Sequence, residues 1–142
     1  MPDPERLEEV RELLQGARTV AVLGASPDPD RPAAYVPAWL HAHGRRILPV
    51  NPRCVGQVLH GEPVRATLAE LREPVDLVDV FRRPEHLAGH LDDLLAMDPP
   101  PGAVWLQQGI RDEAFAARLR AAGLRVVQDR CTMADLMHLG SR

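Results

Sequence analysis

Short apolar runs alternate with segments of helical periodicity along almost the whole of this 142-residue chain. The runs are about five residues long and mostly apolar on both faces, which is typical of parallel strands buried from both sides. They cover residues 19–23, 46–50, 75–81, 103–106 and 124–128. The helical segments around them cover residues 3–16, 33–43, 67–71, 84–96, 112–122 and 132–139. This alternation predicts right-handed crossovers and one parallel sheet with helices on both faces.

The fold class that this pattern predicts is α/β. We expect a Rossmann-like, doubly wound sheet of five parallel strands in the order 3-2-1-4-5, in a three-layer α/β/α arrangement. One domain is expected over residues 1–142, with a packing helix in residues 1–17 that has Asp3 as its N-cap and Pro4 in its first turn. Pro49 fits the second strand poorly, because a proline cannot donate a hydrogen bond to a neighbouring strand.

Composition and charge exclude several classes of protein. The formal net charge is -3, which argues against a nucleic-acid partner. No apolar run reaches the roughly 20 residues of a membrane span, and the first residues lack the pattern of a signal peptide. We therefore expect a cytoplasmic protein with no membrane partner. All 17 basic residues are arginines, so neither a Schiff-base lysine nor a P-loop lysine is present.

The cysteines and histidines do not predict a metal site. Cys54 and Cys131 lack the spacing of metal ligands and are too few for a disulfide framework, which fits a reducing compartment. His86 and His90 are four residues apart on a predicted helix, but the residues between them lack the glutamate of a zincin helix. We expect no metal.

The candidate binding residues stand where the predicted strands end. Ligands of doubly wound sheets bind beyond the carboxyl ends of the strands, near the point where the strand order reverses. Glycines, amides and arginines gather at these positions while the strands stay apolar. Gly24 follows the first strand and precedes a helix, so its turn is expected to offer backbone N–H groups to an anion such as a phosphate.

The segments that follow the first two predicted strands, here called strand tips, do not carry the fingerprint of an NAD-binding fold. Ala25-Ser26-Pro27 follows Gly24, so G-x-G-x-x-G is absent. The acid that would bind the NAD ribose is missing, because Asn51-Pro52-Arg53 follows the second strand. An arginine at this tip favours a ligand with an extra ribose phosphate, as in NADP or the 3′-phosphoadenosine of coenzyme A.

Five tip segments together resemble a known family. They are Gly24-Ala25-Ser26, Val50-Asn51-Pro52-Arg53, Val78–Pro84, Val104–Gly109 and Asp129-Arg130-Cys131. In this order and spacing they resemble the small stand-alone CoA-binding domain proteins, which are similar to the N-terminal domain of the succinyl-CoA synthetase alpha subunit. The resemblance runs from about Thr19 to Cys131. It departs from the family at Thr132, where a proline is usual.

The resemblance implies coenzyme A as the cofactor and a role for each tip. Gly24-Ala25-Ser26 would contact the CoA phosphates, with a hydroxyl from Ser26. Asn51 and Pro52 would flank the adenosine, and Arg53 would pair with the 3′-phosphate. The adenine side and the pyrophosphate would be lined by Val80, Phe81 and Arg82. The pantetheine path would be bordered by Leu106 and Gln107. The remaining expected contacts are Arg31 and Arg83.

The function that we expect is binding of CoA or an acyl-CoA by a non-catalytic or regulatory module. Synthetase activity is not expected, because the sequence contains neither the phosphohistidine domain nor the ATP-grasp domain of succinyl-CoA synthetase. Two alternatives stay open. One is an NADP-binding regulator, because Arg53 also suits a 2′-phosphate. The other is an acyl- or thiol-transfer enzyme that uses Cys131, whose thiolate Arg130 and the start of the last helix would favour.

Overall fold

The computed structural model describes residues 4–140, so Asp3, the predicted N-cap, lies outside the described residues. The helices are α1 (Pro4–Gly16), α2 (Pro32–Ala42), α3 (Pro84–Leu87), α4 (Leu91–Ala96), α5 (Glu113–Ala121) and α6 (Thr132–Gly140). The strands are β1 (Thr19–Leu23), β2 (Arg46–Val50), β3 (Val58–Leu59), β4 (Glu62–Pro63), β5 (Leu77–Val80), β6 (Val104–Leu106) and β7 (Val126–Val127). None of the helices within residues 4–140 is long and apolar enough to cross a membrane.

Five strands form a parallel sheet in the order β2-β1-β5-β6-β7. One face of the sheet packs against α3, α4 and α5 through Leu87, Leu94 and Leu119. The other face packs against α1, α2 and α6, where Leu14 and Leu40 contribute to a second core. The predicted class, a Rossmann-like parallel sheet between two helical layers, is confirmed.

The predicted strand order was wrong. Counted over the five main strands, the order is 2-1-3-4-5 and not 3-2-1-4-5, because β5 pairs with β1 instead of with β2. The outer edge of β2 is bridged by Arg65, whose backbone N–H donates to Pro49 and whose carbonyl accepts from Asn51. β2 thus ends the row of five strands, where its Pro49 is tolerated because no full strand on that side needs its missing N–H.

Two connections differ from their predicted form. The β3–β4 hairpin was missed, since two residues per strand are too few to show a period. The helix expected over residues 67–71 is a single 3-10 turn, Leu68–Glu70, closed by a capping box in which Glu70 accepts from the backbone of Thr67. The helix expected over residues 84–96 is interrupted by a 3-10 turn at Ala88–His90.

The segment that enters β6 runs close beside the segment that enters β5. A Cβ on Gly102 would lie 2.5 Å from the carbonyl oxygen of Asp76, and the Gly102 N–H donates to Val75 at 3.1 Å. A backbone oxygen cannot move aside as a flexible side chain can, so this close approach requires a residue without Cβ.

We expect Gly102→Ala to lower the free energy of unfolding by about 1–3 kcal/mol, because the added methyl forces the two strands apart. Gly89→Ala is the matched control, since no described atom outside its own helix lies within 4 Å of the added Cβ. The control should leave stability unchanged or slightly raised. Urea unfolding of both variants measures the difference. Equal unfolding midpoints would contradict the close approach of Gly102 to the Asp76 carbonyl.

Candidate functional site at the carboxyl edge of the sheet

The tips of β1 and β5 meet at Gly24, the point where the strand order reverses. Gly24 has a φ of 92°, and a Cβ there would lie 2.9 Å from the carbonyl oxygen of Phe81 and 3.1 Å from Cδ of Arg82. The Phe81 N–H donates to Leu23 at 2.9 Å, which fixes the two tips to each other. Only glycine combines this backbone conformation with this approach.

Asn51 joins the turn after β1 to the turn after β2. Its Nδ2 donates to the carbonyl of Ala25 at 2.8 Å, and its Oδ1 accepts from the backbone N–H of Arg53 at 2.9 Å. Both ends of the amide are therefore used inside the protein, so this side chain positions the two loops beside the site.

The backbone amides after β1 do not form the anion site that the sequence predicted. The N–H groups of Gly24 and Ala25 both donate to the Val50 carbonyl, at 2.8 and 3.3 Å, and that of Ser26 donates to Ala33 at 3.2 Å. The prediction that this turn offers N–H groups to a phosphate is therefore wrong in this arrangement. The Ser26 hydroxyl accepts from Asp28 at 3.0 Å and keeps its own O–H to donate.

Four of the predicted arginines lie at this edge in different states. Arg31 is exposed and lies 3.5 Å from an Asp28 carboxylate oxygen. Arg53 and Arg83 are exposed and make no side-chain hydrogen bond or ion pair within residues 4–140. Arg82 is half-buried, and its Nε donates to Nε2 of His90 at 3.3 Å. The edge therefore presents cationic side chains beyond the ends of β1, β2 and β5.

Several of the predicted ligand contacts are core residues. Val80 and Leu106 have no exposed surface and pack in the core on the α3–α5 face. Ala25 is 1% exposed. These buried side chains pack beneath the surface of the carboxyl edge and are not exposed to a ligand. Phe81 and Pro52, both predicted as contacts, are at least partly exposed.

A buried polar network under the edge was missed by the sequence reasoning. Asp79 is fully buried, and its Oδ2 accepts from the Thr132 hydroxyl at 3.0 Å. Gln107 donates to the same hydroxyl and accepts from the Thr132 N–H, both at 3.2 Å. Asp79 Oδ1 has no hydrogen-bond partner in the described part of the chain. Burial raises the pKa of Asp79 to about 8, although the Thr132 hydrogen bond lowers it.

The network could have been suspected from two residues. Asp79 is an acid inside the apolar run of the third main strand, and Thr132 is the departure from the family pattern. In the structure the two side chains meet across the gap between β5 and the first turn of α6. The amide of Gln107, predicted to border a ligand path, is occupied in the same network.

The loops after β6 and β7 brace one another. The Asp129 carboxylate accepts from the Gly109 N–H at 2.7 Å, and Gln128 Oε1 accepts from the Asp112 N–H at 2.8 Å. The indole of buried Trp105 donates to the Arg130 carbonyl at 2.7 Å. These contacts fix the backbone on this side of the edge.

Cys131 lies at the start of α6 as a half-buried free thiol that packs against the core of the α1, α2 and α6 face. The neighbouring Arg130 is paired with Asp135 through Nε and Nη2, at 2.7 and 3.0 Å. The Asp135 carboxylate therefore partly neutralises the positive charge of Arg130 beside the Cys131 thiol.

Cys54 is a buried free thiol. Within residues 4–140, the histidines, cysteines and acids nowhere form a group of three that could hold a metal ion.

The sequence and the fold match known proteins over nearly the whole chain. A family described as CoA binding domain matches residues 18–137. The protein YneT of Bacillus subtilis (strain 168) is 36% identical over 131 residues, 92% of this chain and 93% of that protein. Cell-free ID.343 from Thermus thermophilus has a TM-score of 0.89 at 51% identity, over 94% of this chain and 98% of its own. A protein of Pyrococcus horikoshii OT3 has a TM-score of 0.84 at 27% identity, over 94% and 91%.

We expect Asp79 to make the stability of the protein depend on pH. Its pKa is higher in the folded chain, near 8, than the 3.8 of a free carboxyl, so the folded state binds the extra proton. The free energy of unfolding should therefore fall as the pH rises from about 4 to 8, by about 1.4 kcal/mol per pH unit in mid-range.

Asp79→Asn should remove that part of the slope, because the amide has a similar shape and does not ionise. Asp92→Asn changes an exposed carboxylate on α4 and should keep the slope. Urea unfolding at several pH values measures both. Parallel pH profiles for wild type and Asp79→Asn would show that Asp79 is not the titrating group.

Proposed function

The chain belongs to the CoA-binding domain family, and from that premise we propose that it binds coenzyme A or an acyl-CoA at the carboxyl edge of its sheet. The observation that carries the proposal is the contact of the Gly24 turn with the β5 tip, where the strand order reverses. Folds of this class bind their ligands at such a point. Arginines on the neighbouring tips supply the charge that phosphates require.

Side chains carry the recognition of the pyrophosphate in this proposal. The Ser26 hydroxyl has a free donor in the turn after β1, and the Arg82 stem lies against Gly24 in the same turn. The start of α2 adds a favourable field, since its first turn contains no acid and none of the described side chains caps it. Arg31 precedes that turn.

Arg53 is the proposed partner of the 3′-phosphate. It is exposed on the loop after β2, and Asn51 fixes its backbone N–H. An arginine forms two parallel hydrogen bonds to a phosphate, which gives direction as well as charge. The same residue would suit the 2′-phosphate of NADP, so this observation also supports the alternative ligand.

We propose binding or regulation as the role, without turnover by this chain alone. Arg130 and Thr132, the residues on either side of Cys131, are committed to hydrogen bonds within the protein, since Arg130 donates to Asp135 and Thr132 donates to Asp79. Acyl or thiol transfer through Cys131 is the catalytic alternative, and its half-buried thiol is the group that such chemistry would use.

Coenzyme A should raise the melting temperature of the protein more than NADP does at equal concentration. Ligand stabilisation follows RT ln(1 + [L]/Kd), so thermal shifts rank the two ligands directly. Dephospho-CoA and ADP complete the series and show which part of CoA is recognised. A larger shift with NADP would overturn the proposal in favour of the alternative ligand.

Arg53→Ala should weaken CoA about tenfold and leave dephospho-CoA nearly unchanged, because only CoA has the 3′-phosphate that this arginine contacts. Titration calorimetry with both ligands gives the two ratios. Arg118→Ala removes an exposed arginine from α5 and is the matched control. Equal weakening of the two ligands by Arg53→Ala would remove Arg53 from this role.

A further inference from the structure

Arg82 is a half-buried arginine at the tip of β5 whose direction is set by a neighbouring histidine. The stem of Arg82 lies against Gly24, where a Cβ would be 3.1 Å from its Cδ. Its Nε donates to Nε2 of His90, 3.3 Å away, on the 3-10 turn between α3 and α4. Two contacts thus set its direction, one with the β1 turn and one with an imidazole.

The hydrogen bond requires a neutral imidazole. Nε2 can accept from Arg82 only while it carries no proton, so the single ring proton of His90 must be on Nδ1. A second proton on His90 would remove the acceptor and place a positive charge beside the guanidinium. Protonation of this one ring therefore releases and repels Arg82.

The surroundings of His90 favour the neutral form. Burial is the main cause that lowers the pKa of His90 below its ordinary value of 6.5, and the Arg82 charge lowers it further. Asp93 on α4 opposes them, and His86 on α3 adds to the lowering. Near neutral pH the acceptor is therefore present, and only acid stronger than an ordinary histidine requires removes it.

We propose that His90 is a positioning residue that holds Arg82 over the Gly24 turn for the pyrophosphate of the ligand, so that ligand binding weakens in acid. The inference rests on the proposed function and deepens it, because it assigns a pH response to the same site. His90 acts through Arg82 and does not itself touch the ligand. From the sequence alone, His90 is considered only for a metal site that it would share with His86.

The position of the Arg82 guanidinium affects ligand binding more than the positive charge that His90 gains on protonation. A guanidinium needs its planar fork in place to form two hydrogen bonds with a phosphate. An added charge on a half-exposed imidazole acts through solvent, and the high dielectric constant of water weakens the attraction between two charges at every separation. The loss of a positioned arginine therefore outweighs the attraction of a protonated histidine.

Calorimetric titration with dephospho-CoA between about pH 5 and pH 8 tests the proposal. This probe has a pyrophosphate diester but lacks the 3′-phosphate, whose own titration near pH 6 would obscure the result. The wild-type Kd should rise about three- to tenfold from pH 8 to pH 5. His90→Gln keeps a neutral acceptor, so it should bind as wild type does at pH 8 and show a flat profile.

His90→Leu lacks the acceptor at every pH, so at pH 8 it should bind several-fold more weakly than wild type, with an affinity that does not change with pH. In an Arg82→Ala background the same change should have no further effect. His86→Gln, on the neighbouring helix α3, is the control and should keep a pH-dependent profile, moved slightly toward higher pH because the charge of His86 no longer opposes protonation of His90. Urea midpoints of the variants separate loss of binding from loss of folding, and His90→Gln decides the matter if His90→Leu is unstable.

Two results would overturn the inference while leaving CoA binding intact. One is a wild-type profile in both His90 variants, and the other is an affinity that rises in acid. Absence of dephospho-CoA and CoA binding by wild type at pH 8 is a different result, because it overturns the proposed function and this inference with it.

Discussion

The carboxyl edge of this protein depends on a missing Cβ at Gly24. Because that residue has no side chain, the turn after β1 approaches the carbonyl of Phe81 and leaves room for the Arg82 stem. The hydrogen bond from Phe81 to Leu23 then fixes β5 beside β1. Every other element of the proposed site is arranged around this junction, including the loop that Asn51 ties to it.

The fold class could be predicted from the sequence because periodicity records burial directly. Five apolar runs separated by helical segments permit few arrangements other than a parallel sheet between helices. Strand order is harder to predict from sequence, since it depends on which side of the existing strands each new strand is added. Pro49 was the residue that marked β2 as unsuited to a central place, and it pointed to the observed order. The β3–β4 hairpin left no comparable signal.

The location of the candidate site followed from strand ends, but its chemistry did not. The sequence places Ser26, Arg53 and Arg82 at one edge, because parallel strands end together. It does not show that the amides of Gly24 and Ala25 are already bonded to Val50. Likewise, the pairing of Asp79 with Thr132 joins residues 53 positions apart, a relation that only the tertiary structure reveals.

The Asn51 bridge has a consequence for the range of ligands that this edge can select. One amide links the turn near the proposed pyrophosphate site to the loop that carries Arg53. The backbone spacing between the two proposed anion sites is therefore set by the protein itself, which would lower the conformational cost of filling both. In the proposed complex, this fixed backbone spacing would favour two phosphate groups at the matching separation and disfavour ligands with a shorter or longer reach.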